Sequence, residues 1–356
     1  MGKEMRLMKG NEAIAEAAIR CGVDAYFGYP ITPQSEIIEY LALENPMERT
    51  GMVVLQAESE TAAINMVYGA AACGKKAMTS SSSPGISLKQ EGISFLACAE
   101  LPCLIVNVVR GGPGLGTIQP SQADYFQSVK GGGHGDYRLI VLAPSSVQEQ
   151  YDFVELSYDL AFKYRNPVMM LSDGAMGQMM EKVFVSEQKE RSKVLQPWAT
   201  TGKTKDRERN YITSLYLKTD SMEQKNISLQ AKYKLISRDE VRYEEIQTED
   251  ADYILVAYGI SARICMKVIE LARAEEIKIG MLRPITLWPF PSARLNQLAS
   301  TTKGMLAVEL SAGQMVEDVR LAVNGKVPVE HYGRMGGAVC SPTEVFENFK
   351  SLLLKE

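Results

Sequence analysis

The stretch Asp24 to Glu36, with the sequence DAYFGYPITPQSE, decides how the first domain begins to fold. It passes from a short apolar strand through a turn containing Pro30 and Pro33 into a helix. Each proline fixes its own φ angle and restricts the residue before it, so the turn is stiff. Pro33 suits the first helical position, which predicts Thr32 as the N-cap. Such a helix start can bind an anion, although this stretch alone is more simply explained as a capped helix.

Composition and charge argue against several classes of protein. The 356 residues are enough for two domains, and 46% hydrophobic with 23% charged residues is typical of a soluble globular protein. A net charge of −4 argues against a general nucleic-acid or membrane-surface binder. The N-terminal region lacks the apolar run of a signal peptide, and no segment has the length of a spanning helix. We therefore expect no nucleic-acid or membrane partner.

The cysteines and histidines argue against a metal centre in this chain. Six cysteines are scattered without any C-x-x-C pair, which fits neither an iron–sulfur cluster, a zinc site nor a disulfide framework. Two histidines are too few to favour a metal site built from histidine ligands. The chain also has no P-loop, and the glycine run GGPGLG at 111–116 lacks dinucleotide-binding spacing. We expect a cytoplasmic protein without a metal site of its own.

The hydrophobic pattern predicts an α/β fold with two doubly wound parallel-sheet domains. Short apolar strands alternate with helices of about 10 to 15 residues over the first half of the chain, as in a parallel sheet covered on both faces. From about 183 to 250, charged residues cluster and apolar periodicity fades. A second alternating series then begins. The predicted boundaries are 1–185 for the first domain, 186–249 for a charged connecting segment and 250–356 for the second domain.

Polar groups follow four successive strands of the first series: Thr32, Glu60, the serines 80–83 and Arg110. Ligands of an open parallel sheet bind at the carboxyl ends of its strands, so these groups are candidates for one site. Each also has a simpler explanation. Glu60 could complement a helix dipole, as Glu58 could, Arg110 could pair with an internal carboxylate, and the serines could form a plain turn. Four such groups together favour a site that handles anions and protons.

Four motifs resemble the α subunit of 2-oxoacid:ferredoxin oxidoreductases, which are thiamine-diphosphate enzymes of anaerobic metabolism. They are GYPITPQSE (28–36), QAESETAAINMVYGAA (56–71), TSSSSPGISLKQEGI (79–93) and PCLIVNVVRGGPGLGT (102–117). The resemblance covers essentially the whole chain, including LRPITLWPFP at 282–291. It implies a thiamine-diphosphate pyrimidine-binding domain followed by a transketolase C-terminal-like domain. The serine-rich third motif is most similar to the branched-chain type, which acts on 2-oxoisovalerate (3-methyl-2-oxobutanoate).

The resemblance assigns roles to individual residues. Glu60 matches the glutamate that hydrogen-bonds N1′ of the thiamine aminopyrimidine, where a carboxyl group is needed for proton exchange. Pro30 would lie against the same cofactor. Thr32 matches the threonine that hydrogen-bonds the 2-oxoacid, and Arg110 matches the arginine that pairs with its carboxylate. The residues expected to bind substrate are therefore Thr32, Arg110, Ser82 and Ser83.

The resemblance also implies that the chain works only with partner subunits. The chain lacks the G-D-G…N motif that binds metal and diphosphate, and it lacks a cysteine set for iron–sulfur clusters. In the family, Mg and [4Fe-4S] clusters belong to other subunits. Thiamine diphosphate would be shared with a β subunit, and a γ subunit and a ferredoxin-like subunit would complete the complex. Coenzyme A would be the co-substrate, and ferredoxin would accept the electrons.

The expected function is oxidative decarboxylation of a branched-chain 2-oxoacid to an acyl-CoA, with reduction of ferredoxin. A 2-oxoglutarate enzyme is the first alternative, but its second substrate carboxylate needs a basic partner that the motif loops do not offer. A non-catalytic scaffold subunit is the second alternative, although scaffolding needs none of the three candidate catalytic residues, Thr32, Glu60 and Arg110. A self-sufficient thiamine enzyme of the transketolase kind is disfavoured by the missing diphosphate motif.

Overall fold

The computed structural model describes residues 4–354 except 193, 204 and 206. Its strands are β1 (Glu4–Lys9), β2 (Ala25–Gly28), β3 (Val53–Gln56), β4 (Ala77–Ser81), β5 (Cys103–Val109), β6 (Ile140–Leu142), β7 (Val168–Asp173), β8 (Met180–Val185), β9 (Tyr243–Ile246), β10 (Tyr253–Val256), β11 (Ile279–Pro284), β12 (Thr286–Trp288), β13 (Gly304–Glu309) and β14 (Val329–Gly333). Its helices are α1 (Gly10–Arg20), α2 (Ser35–Leu43), α3 (Pro46–Thr50), α4 (Glu60–Ala72), α5 (Ser83–Cys98), α6 (Tyr125–Val129), α7 (Val147–Tyr164), α8 (Gly174–Gln178), α9 (Thr219–Asp239), α10 (Gly259–Ala274), α11 (Ser292–Leu298), α12 (Met315–Val323) and α13 (Pro342–Leu353).

A seven-stranded sheet in the order β12-β6-β7-β5-β4-β2-β3 organises the first half of the chain. β2 to β7 are parallel to their neighbours, and β12 joins β6 in antiparallel orientation. β5 is buried along its whole length because helices cover both of its faces. Its alternate residues contribute to two hydrophobic clusters, Cys103, Ile105 and Val109 to one and Leu104, Val106 and Val108 to the other.

A five-stranded sheet in the order β14-β13-β10-β11-β9 organises the second half. Its strands are parallel except for the edge strand β9, which runs antiparallel to β11. β1 and β8 form a separate antiparallel pair. The predicted α/β class with two doubly wound, mostly parallel sheets is therefore confirmed. The antiparallel edges were not expected, because pairing at an edge depends on contacts distant in sequence.

The two sheets are interleaved along the chain. β12 lies within the stretch 282–291 but pairs with β6 of the first sheet, whereas the preceding β11 belongs to the second sheet. The charged segment 186–249 contains α9 and β9, and β9 extends the second sheet. The division into 1–185, 186–249 and 250–356 remains a prediction. In the described residues, no helix is both long and apolar enough to cross a bilayer.

Gln122, between β5 and α6, ties the first sheet to the second. Its amide oxygen accepts hydrogen bonds from the Ser261 hydroxyl at 2.7 Å and from the Leu310 N–H at 2.9 Å. Its amide nitrogen donates to the Tyr258 carbonyl at 2.9 Å. Gln122 is buried, so its polar atoms would be costly without these partners. The hydrogen bonds of the buried Gln122 amide thus help to fix how the segment after β5 packs against the second sheet.

Replacement of Gln122 by methionine should lower the free energy of unfolding by about 2–6 kcal/mol. The substitution keeps the volume but leaves the Leu310 N–H and the Ser261 hydroxyl buried without their acceptor, at about 1–3 kcal/mol each. Urea denaturation followed by circular dichroism measures the change. Gln119→Met, at an exposed position nearby, is the control and should alter stability by less than about 0.5 kcal/mol. Equal midpoints for the two variants would contradict the proposed role of Gln122.

Candidate active site

The four predicted positions lie at one edge of the seven-stranded sheet. The parallel registers place Gly28 opposite Gln56 and Ser81 opposite Asn107, so the carboxyl ends of β2 to β5 lie side by side. Thr32 follows β2, Glu60 opens α4 just after β3, Ser80–Ser83 join β4 to α5, and Arg110 follows β5. The strand-end rule therefore located these groups correctly.

Arg110 contacts backbone carbonyls and not an internal carboxylate. Its Nη1 donates to the Thr32 carbonyl and its Nη2 to the Leu115 carbonyl, each at 2.9 Å. Its Nε is buried and has no hydrogen-bond partner among the described residues. The Arg110 N–H donates to Ser83 Oγ at 3.1 Å, and the Ser83 hydroxyl lies 3.2 Å from the Arg110 carbonyl. The structure thus brings Thr32, Ser83 and Arg110 into contact, and none of the described carboxylates pairs with the guanidinium.

The opening turn differs from the predicted cap. α2 begins at Ser35 with Gln34 at its N-cap position, and the Thr32–Pro33 peptide bond is cis. The prediction of Thr32 as N-cap is therefore wrong. A capping residue needs its carbonyl for the first helical hydrogen bond, but the Thr32 carbonyl is held by Arg110. The Pro33 carbonyl is likewise held by the buried Asn11 side chain at 2.7 Å.

A buried hydrogen-bond chain connects this turn to the serine run. Gln34 donates to the Tyr29 carbonyl at 3.1 Å and accepts from Ser80 Oγ at 2.5 Å. Ser80 Oγ lies 2.7 Å from the Tyr26 hydroxyl. Gln34, Ser80 and Tyr26 are all fully buried, so these bonds rigidly join the end of β2 to the end of β4. Thr32 and Pro30 are both exposed residues of this turn.

Glu60 is the first residue of α4, whose N-cap is Ser59. Ser59 Oγ accepts from the Ala62 N–H at 3.1 Å, so the Glu60 side chain is not needed as a cap. Glu60 is 7% exposed, and its carboxylate has no hydrogen-bond donor in the part of the chain that the structure describes. It packs against Gly85, where an ideal Cβ would lie 2.7 Å from Glu60 Oε1 and 2.1 Å from Ser81 Oγ. Only glycine fits between these two polar groups.

Two titratable groups lie behind the edge. Burial lowers the pKa of Lys89 to about 8, and attraction to Glu60 partly opposes this change. Burial also raises the pKa of Asp124, while hydrogen bonds from Asn107 and Ser83 oppose the increase. The Asn107 amide donates to Asp124 at 2.9 Å. Both groups were missed from the sequence because their burial depends on contacts across the sheet.

The unpaired polar atoms fit an aminopyrimidine cofactor and an anionic substrate. The buried hydroxyls of Ser81 and Ser82 have no hydrogen-bond partner among the described residues, and Arg110 Nε has none either. Buried polar groups are normally satisfied, so unpaired ones at a sheet edge suggest a ligand that completes them. Glu60 supplies an acceptor for a protonated ring nitrogen, and Arg110 supplies a positive charge for a carboxylate. Within the described chain, Glu60 makes no hydrogen bond to Thr32 or Arg110, so a ligand would have to span the gap.

Comparisons with known proteins agree with this arrangement. Residues 16–250 match the model for pyruvate flavodoxin/ferredoxin oxidoreductase, thiamine-diphosphate-binding, and residues 251–345 match pyruvate:ferredoxin oxidoreductase core domain II. The ketoisovalerate oxidoreductase subunit VorB of Methanothermobacter thermautotrophicus is 51% identical, over 98% of this chain and 97% of that protein. The 2-oxoglutarate synthase subunit KorA of Methanothermobacter marburgensis is 34% identical, over 98% of this chain and 99% of that protein.

Solved structures show the same architecture. The 2-oxoglutarate:ferredoxin oxidoreductase from Magnetococcus marinus, with 2-oxoglutarate, coenzyme A and succinyl-CoA bound, superimposes with a TM-score of 0.87 at 27% identity. The match covers 98% of this chain but 65% of that one, which is longer. A split-gene transketolase, at 14% identity and a TM-score of 0.62, shares the fold alone. On the family models and the 51% identity, this chain belongs to the pyruvate flavodoxin/ferredoxin oxidoreductase family, in agreement with the resemblance seen in its motifs.

Proposed function

We propose that this chain is the α subunit of a thiamine-diphosphate-dependent 2-oxoacid:ferredoxin oxidoreductase that converts 2-oxoisovalerate to an acyl-CoA. The observation that carries the proposal is the guanidinium of Arg110, which lies at the sheet edge next to Thr32 without a carboxylate partner among the described residues. A 2-oxoacid supplies such a carboxylate, and a guanidinium binds it with good geometry. The relative with 51% identity carries the name ketoisovalerate oxidoreductase, which supports the choice of substrate.

Arg110 and Thr32 would hold the substrate. Two guanidinium nitrogens of Arg110 are already fixed by carbonyls, so the charge is positioned before substrate arrives. Thr32 is exposed, and its hydroxyl would donate to an oxygen of the 2-oxoacid. Ser82 and Ser83 would form the adjoining wall. Because Ser83 contacts the Arg110 backbone directly, this wall and the arginine would keep a constant separation.

Glu60 would bind the cofactor. Its carboxylate would hold and exchange a proton at N1′ of the aminopyrimidine, and Pro30 would lie against the ring from the opening turn. Thiamine diphosphate supplies, when bound, the carbon nucleophile and the electron sink that decarboxylation requires. Gly85 keeps Glu60 accessible, since a side chain there would collide with the carboxylate.

The rim of the site favours a branched alkyl group over a second carboxylate. Leu115, whose carbonyl positions Arg110, exposes 81% of its surface, and Ile118 exposes 57%. A 2-oxoglutarate enzyme remains the alternative, supported by the relative at 34% identity, but the higher identity favours ketoisovalerate. A scaffold role is disfavoured because it needs neither a free guanidinium nor a carboxylate without a donor.

The remaining components of the proposed complex would come from other chains. We propose a β subunit that shares the thiamine diphosphate and binds Mg, a γ subunit and a ferredoxin-like subunit with [4Fe-4S] clusters. Ferredoxin would accept the electrons and coenzyme A the acyl group, as the ligands of the Magnetococcus marinus structure suggest for coenzyme A. All six cysteines are free, which is compatible with the cytoplasmic location that we propose.

Replacement of Glu60 by alanine should abolish cofactor-dependent turnover, because it removes the carboxylate that we propose exchanges the proton at N1′. Assembly of the complex, followed by gel filtration, should be unchanged. Glu58→Ala removes an exposed carboxylate two residues away and should retain wild-type activity. Wild-type turnover by the Glu60→Ala complex would refute the assignment.

Replacement of Arg110 by alanine should mainly raise KM for the 2-oxoacid. The loss of a charge-assisted pair should reduce kcat/KM by an amount equivalent to ~2–5 kcal/mol. Arg110→Lys keeps the charge but loses the planar fork, so its kcat/KM should fall between those of the other two proteins. Steady-state kinetics of the assembled complex measure these values. An unchanged kcat/KM in Arg110→Ala would count against carboxylate binding.

A further inference from the structure

The Arg110 loop, residues 111–119, carries one of the two carbonyls that hold the Arg110 guanidinium. Its Leu115 carbonyl accepts a hydrogen bond from Arg110 Nη2 at 2.9 Å. The base of the loop is closed by the Thr117 N–H, which donates to the Gly111 carbonyl at 2.8 Å. The place of the guanidinium therefore depends on where this loop lies.

The β14–α13 loop, residues 334–340, packs against the base of the Arg110 loop. An ideal Cβ at Gly111 would lie 2.6 Å from the carbonyl carbon of Gly336 and 2.7 Å from the nitrogen of Gly337. Non-bonded carbon atoms normally lie about 3.5–4.0 Å apart. Any side chain at Gly111 would thus collide with backbone, and the two loops approach as closely as they do because this residue is glycine.

The contact is equally close from the other side. An ideal Cβ at Gly337 would lie 2.6 Å from the Cβ of Gln119 and 3.1 Å from Thr117 Oγ1. Gly111 is buried by this contact. At Gly112, by contrast, an added Cβ would meet no atom of the described residues within 4 Å. The second sheet therefore supports the base of the Arg110 loop and leaves the residue after Gly111 open.

The β14–α13 loop is itself firmly anchored. The Ala338 N–H donates to the Met335 carbonyl at 3.2 Å, which closes a turn around the two glycines. Arg334 Nη1 pairs with Glu344 of α13 at 2.7 Å. Cys340, at the end of the loop, is buried in the hydrophobic cluster of the second sheet. The loop thus offers the base of the Arg110 loop a fixed surface.

We propose that Gly111 is a positioning residue for Arg110: it admits the backbone of the β14–α13 loop, and the second sheet thereby sets the place of the guanidinium. This inference rests on the proposed function, in which Arg110 binds the carboxylate of the 2-oxoacid. A methyl group at Gly111 requires a shift of about 1 Å to reach an ordinary contact distance. A misplacement of that size can cost about a hundredfold in rate.

Replacement of Gly111 by alanine should raise KM for 2-oxoisovalerate by about tenfold to a hundredfold and leave kcat within about twofold of wild type. The reason is that the displaced loop takes the guanidinium with it. Ferredoxin-linked steady-state kinetics of the assembled complex measure both constants. Gly112→Ala makes the same change one residue away in open space and should keep the wild-type KM. A wild-type KM in Gly111→Ala, with or without a lower kcat, would overturn the proposal.

A double-mutant cycle shows whether Gly111 acts through Arg110. In the Arg110→Ala background, Gly111→Ala should change kcat/KM by less than about twofold, because the guanidinium that it positions is absent. A general disturbance of the fold would instead reduce kcat/KM by the same factor in both backgrounds, and that result would also overturn the proposal. An unchanged kcat/KM in Arg110→Ala alone would overturn the proposed function itself.

A second variant applies even if Gly111→Ala fails to assemble. Gly337→Ala places a methyl group against Gln119 from the second sheet and should raise KM in the same way. Gly325→Ala, in the turn after α12, is the control: its φ is also positive, and an added Cβ there would meet no described atom within 4 Å. It should keep the wild-type KM. A wild-type KM in Gly337→Ala would contradict the proposal.

Discussion

The guanidinium of Arg110 is the constraint on which the site depends. It joins the Thr32 carbonyl after β2 to the Leu115 carbonyl in the loop after β5, at 2.9 Å each. The bond to Thr32 connects residues 78 positions apart in the sequence and fixes the shape of the opening turn. Because carbonyls carry no full charge, they position the guanidinium without neutralising it. The arginine is held in place and still able to bind an anion.

The rest of the edge supports this arrangement. Asn11 holds the Pro33 carbonyl, and Gln34 and Ser80 connect the turn to β4, so the backbone near Thr32 has little freedom. The buried hydroxyls of Ser81 and Ser82 have no hydrogen-bond partner within the described part of the chain, at a cost of about 1–3 kcal/mol for each unsatisfied group. Such a cost is expected where a ligand completes the hydrogen bonds.

Much of this could be predicted from the sequence. Alternating strands and helices indicated two mostly parallel sheets, and the strand-end rule located Thr32, Glu60, the serines and Arg110 at one edge. The cap at Thr32 was predicted wrongly, because local propensity does not show that Arg110 takes its carbonyl. The burial of Lys89 was not recognised, since a lysine in a helix usually faces solvent. Its burial depends on packing against β4 and α4, and the sequence pattern alone does not show that α5 lies against these two elements.

The most direct test of the central claim is purification of the native complex and measurement of ferredoxin-linked turnover with a panel of 2-oxoacids. A guanidinium beside an apolar rim predicts that 2-oxoisovalerate gives the highest kcat/KM and that 2-oxoglutarate, with its second carboxylate, is used poorly. A preference for 2-oxoglutarate would contradict the substrate assignment. Absence of turnover with every 2-oxoacid, in a complex containing all its subunits and cofactors, would contradict the catalytic role of the chain.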